Sequence, residues 1–555
     1  MGKPVVFQDS PPSAVGVAGT GLFPQSFSQY QLVGIGNSAA LIGSFWDGTG
    51  YRVTGRTYSP YASNGNGWGS TTDLGYAQLD SGVGTFPNVA LGVTQTVTGE
   101  IGTPTYFGDF WGSTASTLSC SAFTAPTNWT SLSTTPTELP IASGIDGPSV
   151  QSKGIAFDSY GNAYLAINQC HDSGCSSYDI VVHQFVPSPL GLPNSAGSWD
   201  TQYGYPAYPV TQMSAPATFL QLVGTGLGAS LVYFTPQGLY GADSLDETGP
   251  FTAPQPVATF APETTPNPGV TITPVPLTLS AAADASGDVL AVFVYPVTAT
   301  SIVCDPGTIG LNATYNCQNR VFAAVRGASG IWSAPTQLDD SFDITTTTLY
   351  QNAGVIPNPG PTGVGGMPYA RPGITYIGNG TFMATFSLID NLKRTSGVYT
   401  RTYQVGVGWN SAVNALDVIP LPTNSDSFRY ANQLHIASDQ EGDAIITASF
   451  VNFVAGTNGT DPTERNYTFK VYRYVYNYGW QTPDVLSTET VLPQCPAPSA
   501  IFTYYDCWYQ EPQGYIFPSG EAVVVVPALD PSGASQSEMR LFSTAFRLGK
   551  PVNDL

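Results

Sequence analysis

Apolar residues along this chain come in runs of roughly four to eight, alternating with polar residues or unbroken, and most runs end at glycine, proline, asparagine or aspartate. Such runs predict short strands joined by turns. No stretch sustains the apolar spacing of a helix. The clearest segment reads Leu277-Thr-Leu-Ser-Ala-Ala-Ala-Asp284-Ala-Ser-Gly287-Asp-Val-Leu-Ala-Val-Phe-Val-Tyr, resumes at Arg320-Val-Phe-Ala-Ala-Val-Arg326, and ends Gly330-Ile-Trp332-Ser-Ala-Pro-Thr-Gln-Leu338. It predicts four successive strands.

The same order recurs along the chain. A turn after a first strand is expected at Gly36-Asn37, Pro87-Asn88, Asp158-Ser-Tyr-Gly161, Gly226-Leu-Gly228, Gly378-Asn379-Gly380, Asp439-Gln-Glu-Gly442 and Pro518-Ser-Gly520. A fourth strand is expected at Trp68, Trp129, Trp199, Phe251, Trp332, Trp409, Trp480 and, without an aromatic, Lys550, markers that stand 52 to 81 residues apart. A lone four-stranded sheet cannot bury both faces, whereas radially stacked sheets cover one another and leave short edges. Each marker aromatic is therefore expected to pack between neighbouring sheets.

On these repeats the chain resembles the β-propeller superfamily, and its Asp-X-X-Gly turns followed by Gly-X-Trp-Ser-X-Pro resemble those of sialidase-like and quinoprotein-like propellers. The resemblance implies an all-β propeller of four-stranded blades over residues 31–555, with eight blades, or seven on the alternative count. Residues 1–30 form an N-terminal extension. Because Gly2-Lys3-Pro4-Val5 repeats Gly549-Lys550-Pro551-Val552, the extension is expected to add an outer strand that closes the ring. The turns at Asp158, Asp284 and Asp439 lack the Thr-Trp that completes a sialidase Asp-box, so sialidase activity is not implied.

Composition narrows the setting. Only 10% of residues are charged, against roughly 25% in an average soluble domain. The formal charge is −21 at pH 7, but in strong acid the carboxylates neutralise, and 17 Lys+Arg with 3 His leave about +20. Few basic groups limit self-repulsion in acid, which fits an acidic exterior as well as an ordinary secreted β-protein. The negative balance and the lack of basic runs argue against nucleic acid or an anionic membrane as partner. No apolar run is long enough to span a bilayer, and no signal peptide stands at the start; the chain reads as a mature form behind a new Met1, or as one whose signal has been left off.

Seven cysteines fall into the close pairs Cys170/Cys175, Cys304/Cys317 and Cys495/Cys507, with Cys120 left over. The spacing reads as local disulfides in an oxidising compartment, extracellular, periplasmic or on the cell surface. Whether Cys120 joins two chains into a homo-oligomer stays open. Sequons at Asn128, Asn312, Asn379, Asn458 and Asn466 are compatible with a glycoprotein.

Candidate chemistry is expected on the loops that join second to third strands and one blade to the next, placed at 94–116, 169–177, 296–319, 339–373, 388–396, 452–466 and 488–513. Lys153, Arg371, Arg394 and Arg429 lie in or beside such loops and suit an anion-binding funnel, since guanidinium groups match oxyanions and stay charged in acid. Asp339, Asp340 and Asp343 are the first candidates for proton transfer, because a desolvated carboxylate titrates upward; such a cluster also suits a solvated surface or a structural calcium ion. In Cys170-His171-Asp172 a disulfide would remove the thiolates, which argues against a transition-metal site.

With Lys153, Arg371 and Arg429 before inner strands, the three aspartates and the low charge, the chain is also similar to the tetrathionate hydrolases of acidophiles. That resemblance implies a cofactor-independent hydrolase acting on a small oxyanion in a central funnel. The alternative is a non-catalytic glycan-binding, adhesive or envelope protein, for which Tyr-rich segments such as Phe502-Thr-Tyr504-Tyr505-Asp506-Cys507-Trp508-Tyr509 offer stacking surfaces.

Overall fold

The computed structural model describes the strands and most of the tight turns between them; the longest stretches outside the described residues are 8–26, 77–87, 141–149, 187–197, 200–207, 299–316, 341–371, 492–511, 530–538 and 549–555. Eight antiparallel sheets of four or five strands follow one another along the chain, with a two-stranded ribbon, Glu263–Thr264 and Thr271–Ile272, between the fourth and fifth. We number the sheets in chain order by their first strands: 1, Phe27–Ile35; 2, Asn88–Thr96; 3, Val150–Phe157; 4, Phe219–Gly224; 5, Thr278–Ala283; 6, Gly373–Gly378; 7, Ser427–Ser438; 8, Gln513–Ile516.

Each first strand lies against the first strand of the next sheet, and Gln513–Ile516 of sheet 8 lies against Phe27–Ile35 of sheet 1, so the first strands make a closed circuit. Later strands are added outward, edge to edge. This is the arrangement of a β-propeller. The circuit is locked where the chain's two ends meet. The Gln513 side chain accepts from Leu32 N–H at 2.5 Å and donates to Tyr30 C=O at 3.2 Å, imitating a strand. Trp68 Nε1 donates to Ser543 Oγ at 2.8 Å in the same seam, and Val5–Phe7 pairs outside Met539–Arg547 as the fourth strand of sheet 8.

The cores sit in the seams between sheets. Second strands are buried on both faces, which is why they read as continuous apolar runs. In Val289–Thr298, Leu290, Val292 and Val294 face a cluster shared with Phe382, Ala384 and Phe386 of sheet 6, while Ala291 and Phe293 face one shared with Val232 and Phe234 of sheet 4. Five of the marker aromatics join these seams as expected, while Trp129 and the marker Lys550 lie outside the described residues. Trp68, Phe251, Trp332, Trp409 and Trp480 each pack in the seam with the preceding sheet. Their partners on the third strands also recur: Tyr58–Trp68, Tyr403–Trp409 and Tyr474–Trp480 meet edge to face with centroids 5.1, 5.3 and 5.3 Å apart.

At the tight-turn end, Asp158, Asp284 and Asp439 each accept from the backbone N–H four residues on, at 2.9, 2.9 and 3.0 Å. In sheets 5 and 7 that fourth residue is another aspartate, and it caps the turn between third and fourth strands: Asp288 accepts from Ala328 N–H at 3.0 Å and Asp443 from Tyr476 N–H at 2.8 Å. These aspartates therefore staple one hairpin to the next.

Three expectations need correction. Sheets 2, 3, 6 and 7 carry a fifth strand rather than four, because in each the chain returns to pair with the third strand after a fourth strand of only two residues. Where a turn was expected at Pro87-Asn88, Asn88 opens the first strand of sheet 2, with Pro87 outside the described residues, and most of 94–107 belongs to the hairpin Asn88–Thr96/Thr103–Trp111. A Pro-Asn pair can lead into a strand as readily as leave one. The inter-strand loop of that sheet accordingly shrinks to 112–116.

Candidate functional site

Lys153 is the fourth residue of the first strand of sheet 3, in register with Ile167, and Arg429 is the third residue of the first strand of sheet 7, in register with Asn452. Arg371, Arg394 and Asp343 lie outside the described residues. Cys170 ends a second strand and Cys317 begins a third, both beside loops of the expected kind, while Cys175, Cys304, Cys495 and Cys507 lie outside the described residues. His171 Nδ1 meets Asp179 Oδ2 at 2.7 Å across the loop of sheet 3.

Asp339 and Asp340 follow the short fourth strand of sheet 5, on the outer side of the sheet. Asp339 is fully buried. Its Oδ2 accepts from Val321 N–H at 3.2 Å and stands 3.9 Å from the Arg320 guanidinium, which also donates to its backbone carbonyl at 3.3 Å. Burial pushes its carboxyl up to about 6, against the opposing pull of Arg320 and the backbone N–H. Asp340 is exposed and lies 3.6 Å from Arg401, on the third strand of sheet 6. Arg401 is itself buried and holds the seam: it donates to Leu338 C=O at 3.1 Å, to Gln337 C=O at 3.4 Å and, through Nε, to Asn410 C=O at 2.7 Å. Asp339 thus ties the fourth strand of sheet 5 to its own third strand, and Asp340 alone of the two reaches the neighbouring sheet.

The next seam is built differently. Between sheets 6 and 7 lies a cavity of about 480 Å³, lined by Val413, Asn414, Ala415 and Leu416 from one side and Tyr472, Trp480, Gln481 and Thr482 from the other. Asn414–Pro420 is the fifth strand of sheet 6, and Trp480 ends the two-residue fourth strand of sheet 7. Asp417, further along that fifth strand, accepts from Lys470 Nζ at 2.5 Å and from Tyr472 Oη at 2.8 Å. Lys470 also lies 4.9 Å from the centre of the Phe450 ring. No lining side chain carries a charge, and the nearby carboxylate is neutralised by a lysine on the partner sheet. The walls thus offer the Trp480 indole, aliphatic surface, two amides and a hydroxyl, while the Tyr472 side chain is fully buried behind them.

No family model matches the chain, and no curated protein matches it. Among solved structures it is similar to a six-bladed β-propeller lectin of Aleuria aurantia, at 12% identity over 72% of this chain and 100% of that one, with a TM-score of 0.32. It is also similar to the GH93 α-L-arabinofuranosidase of Fusarium graminearum, at 13% identity over 64% and 87% of the two chains, with a TM-score of 0.31. For the α-L-arabinanase of Penicillium chrysogenum the figures are 12%, 84% and 94%, with a TM-score of 0.29. No helix among the described residues is long and apolar enough to cross a membrane.

Reading the sequence for charged loops passed over Tyr472, Gln481 and Asn414, and took Trp480 as a packing residue between sheets. A usable signal was present. Tyr403-X5-Trp409-Asn410 and Tyr474-X5-Trp480-Gln481 superpose the two repeats residue for residue, and the place occupied by Arg401 in one is occupied by Tyr472 in the other.

Proposed function

We propose that this chain is an extracellular β-propeller whose eight sheets are the blades of one ring, and that it binds a neutral carbohydrate in the seam between sheets 6 and 7. The lining of the cavity carries this reading. A sugar ring has apolar C–H faces and a rim of hydroxyls that both donate and accept; Trp480, partly exposed, provides ring surface, and Asn414, Gln481 and Thr482 provide both donors and acceptors. The volume suits one or two rings, within the roughly 300–1,000 Å³ of small-molecule sites. An oxyanion would find no positive side chain in that lining. Binding rather than hydrolysis is supported by Asp417, whose carboxylate is already engaged by Lys470 and Tyr472. An extracellular setting is supported by the close cysteine pairs and the scarcity of charge.

The test is a glycan array followed by titration calorimetry with the retained neutral sugars, on the wild type and on Trp480→Ala. Loss of the stacking surface is expected to weaken binding about tenfold or more, or about 1.4 kcal/mol. Silence across the array, or equal affinity in Trp480→Ala, removes the reading.

A further inference from the structure

We infer that Asn379 is a modification site, its side-chain amide carrying an N-linked oligosaccharide at the tip of the first hairpin of sheet 6. Asn379-Gly380-Thr381 is an acceptor sequence of the Asn-X-Ser/Thr type. Of the other such sequences, Asn128, Asn312 and Asn458 lie outside the described residues. Asn466 stands inside a third strand, paired with Asn452 on one side and Val491 on the other. Among the described sequons Asn379 alone stands in a turn, and it is exposed.

The turn is built without help from this amide. Gly378 pairs with Thr381, which leaves Asn379 and Gly380 as a two-residue loop with φ of 51° and 68°. Such a hairpin loop requires positive φ at both positions, and Asn-Gly adopts it at little cost. The loop is then held from outside. Gln404, at the end of the third strand, donates through Nε2 to Asn379 C=O at 3.0 Å and accepts through Oε1 from the Thr381 hydroxyl at 2.6 Å. Gly380 N–H donates to Tyr376 Oη at 3.1 Å, and Gly380 C=O accepts from Val405 N–H at 2.8 Å. The Asn379 amide bonds to none of the described residues. At the corresponding turns of sheets 3, 5 and 7, Asp158, Asp284 and Asp439 each accept from a backbone N–H of their own turn. In sheet 6 Gln404 and Tyr376 fasten the turn instead, and the amide is left to solvent.

The transfer joins Asn379 Nδ2 to the anomeric carbon of an oligosaccharide carried on a lipid phosphate. The C–N bond forms as the bond from that carbon to the phosphate oxygen breaks; the lipid phosphate leaves, and one amide proton passes to a base of the transferase. An acceptor sequence needs the hydroxyl of its third residue, and in the folded hairpin Gln404 holds that of Thr381. The transfer therefore precedes closure of this hairpin. After closure the bulky, hydrophilic group stands outside the turn and displaces none of its hydrogen bonds.

This inference rests on the export proposed above and not on sugar binding between sheets 6 and 7, and the experiment separates them. The chain is purified from the medium or envelope of its native host, denatured and digested, and the peptide holding Asn379–Thr381 is sequenced by mass spectrometry. Denaturation removes any sugar held without a covalent bond. The expected result is the mass of one or more sugar residues on Asn379 in most copies, lost in Asn379→Asp and Thr381→Val and kept in Thr381→Ser. Aspartate tolerates positive φ, so Asn379→Asp is expected to keep the fold. A bare peptide from an exported chain, or one with the mass change of deamidation alone, overturns the inference and leaves export standing. A saccharide that persists in Asn379→Asp or Thr381→Val overturns it too. A chain found wholly in the cytosol removes export and modification together.

Discussion

Asp339 makes a quantitative prediction about pH. Its carboxyl ordinarily titrates at 3.8 and is pushed up to about 6 by burial, so the folded chain holds a proton there that the unfolded chain has already released. A group of this kind contributes stability that is fully present below pH 3.8 and is lost as pH rises through about 6. The gap between 3.8 and about 6, at about 1.36 kcal/mol per pH unit, makes the neutral-pH penalty about 3 kcal/mol. Asp339→Asn keeps an oxygen for Val321 N–H and removes the ionisation. The variant is therefore expected to match the wild type near pH 4 and to exceed it by up to about 3 kcal/mol at pH 7. Urea unfolding of both proteins at half-unit steps from pH 3.5 to 8 measures this as a difference curve that rises between pH 4 and 6. A flat difference, or a variant less stable at pH 7 than at pH 4 relative to wild type, refutes the argument, because it would mean that Arg320 at 3.9 Å outweighs the cost of burial. The same sign places this seam's greatest stability in acid, in keeping with a chain short of basic residues.

Other expectations follow from single contacts. A Cβ on Gly241 would lie 2.3 Å from Trp332 Nε1, and since a packed indole has little room to yield, Gly241→Ala should cost about 1–3 kcal/mol in urea unfolding. Gln513→Ala removes both side-chain hydrogen bonds across the closing seam and should cost about 1–3 kcal/mol, with faster amide exchange at Leu32 as its local signature. Asp443→Ala leaves Tyr476 N–H without its acceptor; a lower melting temperature with early exchange at the turn of sheet 7 is expected, again at about 1–3 kcal/mol.

Strands and turns were legible in the chain alone because they follow from interactions a few residues long. The run Val289–Tyr295 is apolar at every position since both its faces are covered, and Asp158, Asp284 and Asp439 announce turns because a short carboxylate can accept from backbone N–H close by. The recurring Gly-X-Trp or Gly-Trp marked the start of the fourth-strand pairing at Trp332, Trp409 and Trp480, but not the fifth strands that follow in sheets 6 and 7. What a linear reading could not decide is which side chains meet across a seam. Asp339 was visible as an acidic residue on a loop, but its burial and its link to Arg320 depend on how the outer strands close over it. Arg401 and Tyr472 look alike in sequence, each embedded in a third strand; one reaches carbonyls some sixty residues earlier in the chain and the other, fully buried, donates to the Asp417 carboxylate of the neighbouring sheet. Bridging a seam is a matter of side-chain reach between two sheets, so only tertiary packing could distinguish them.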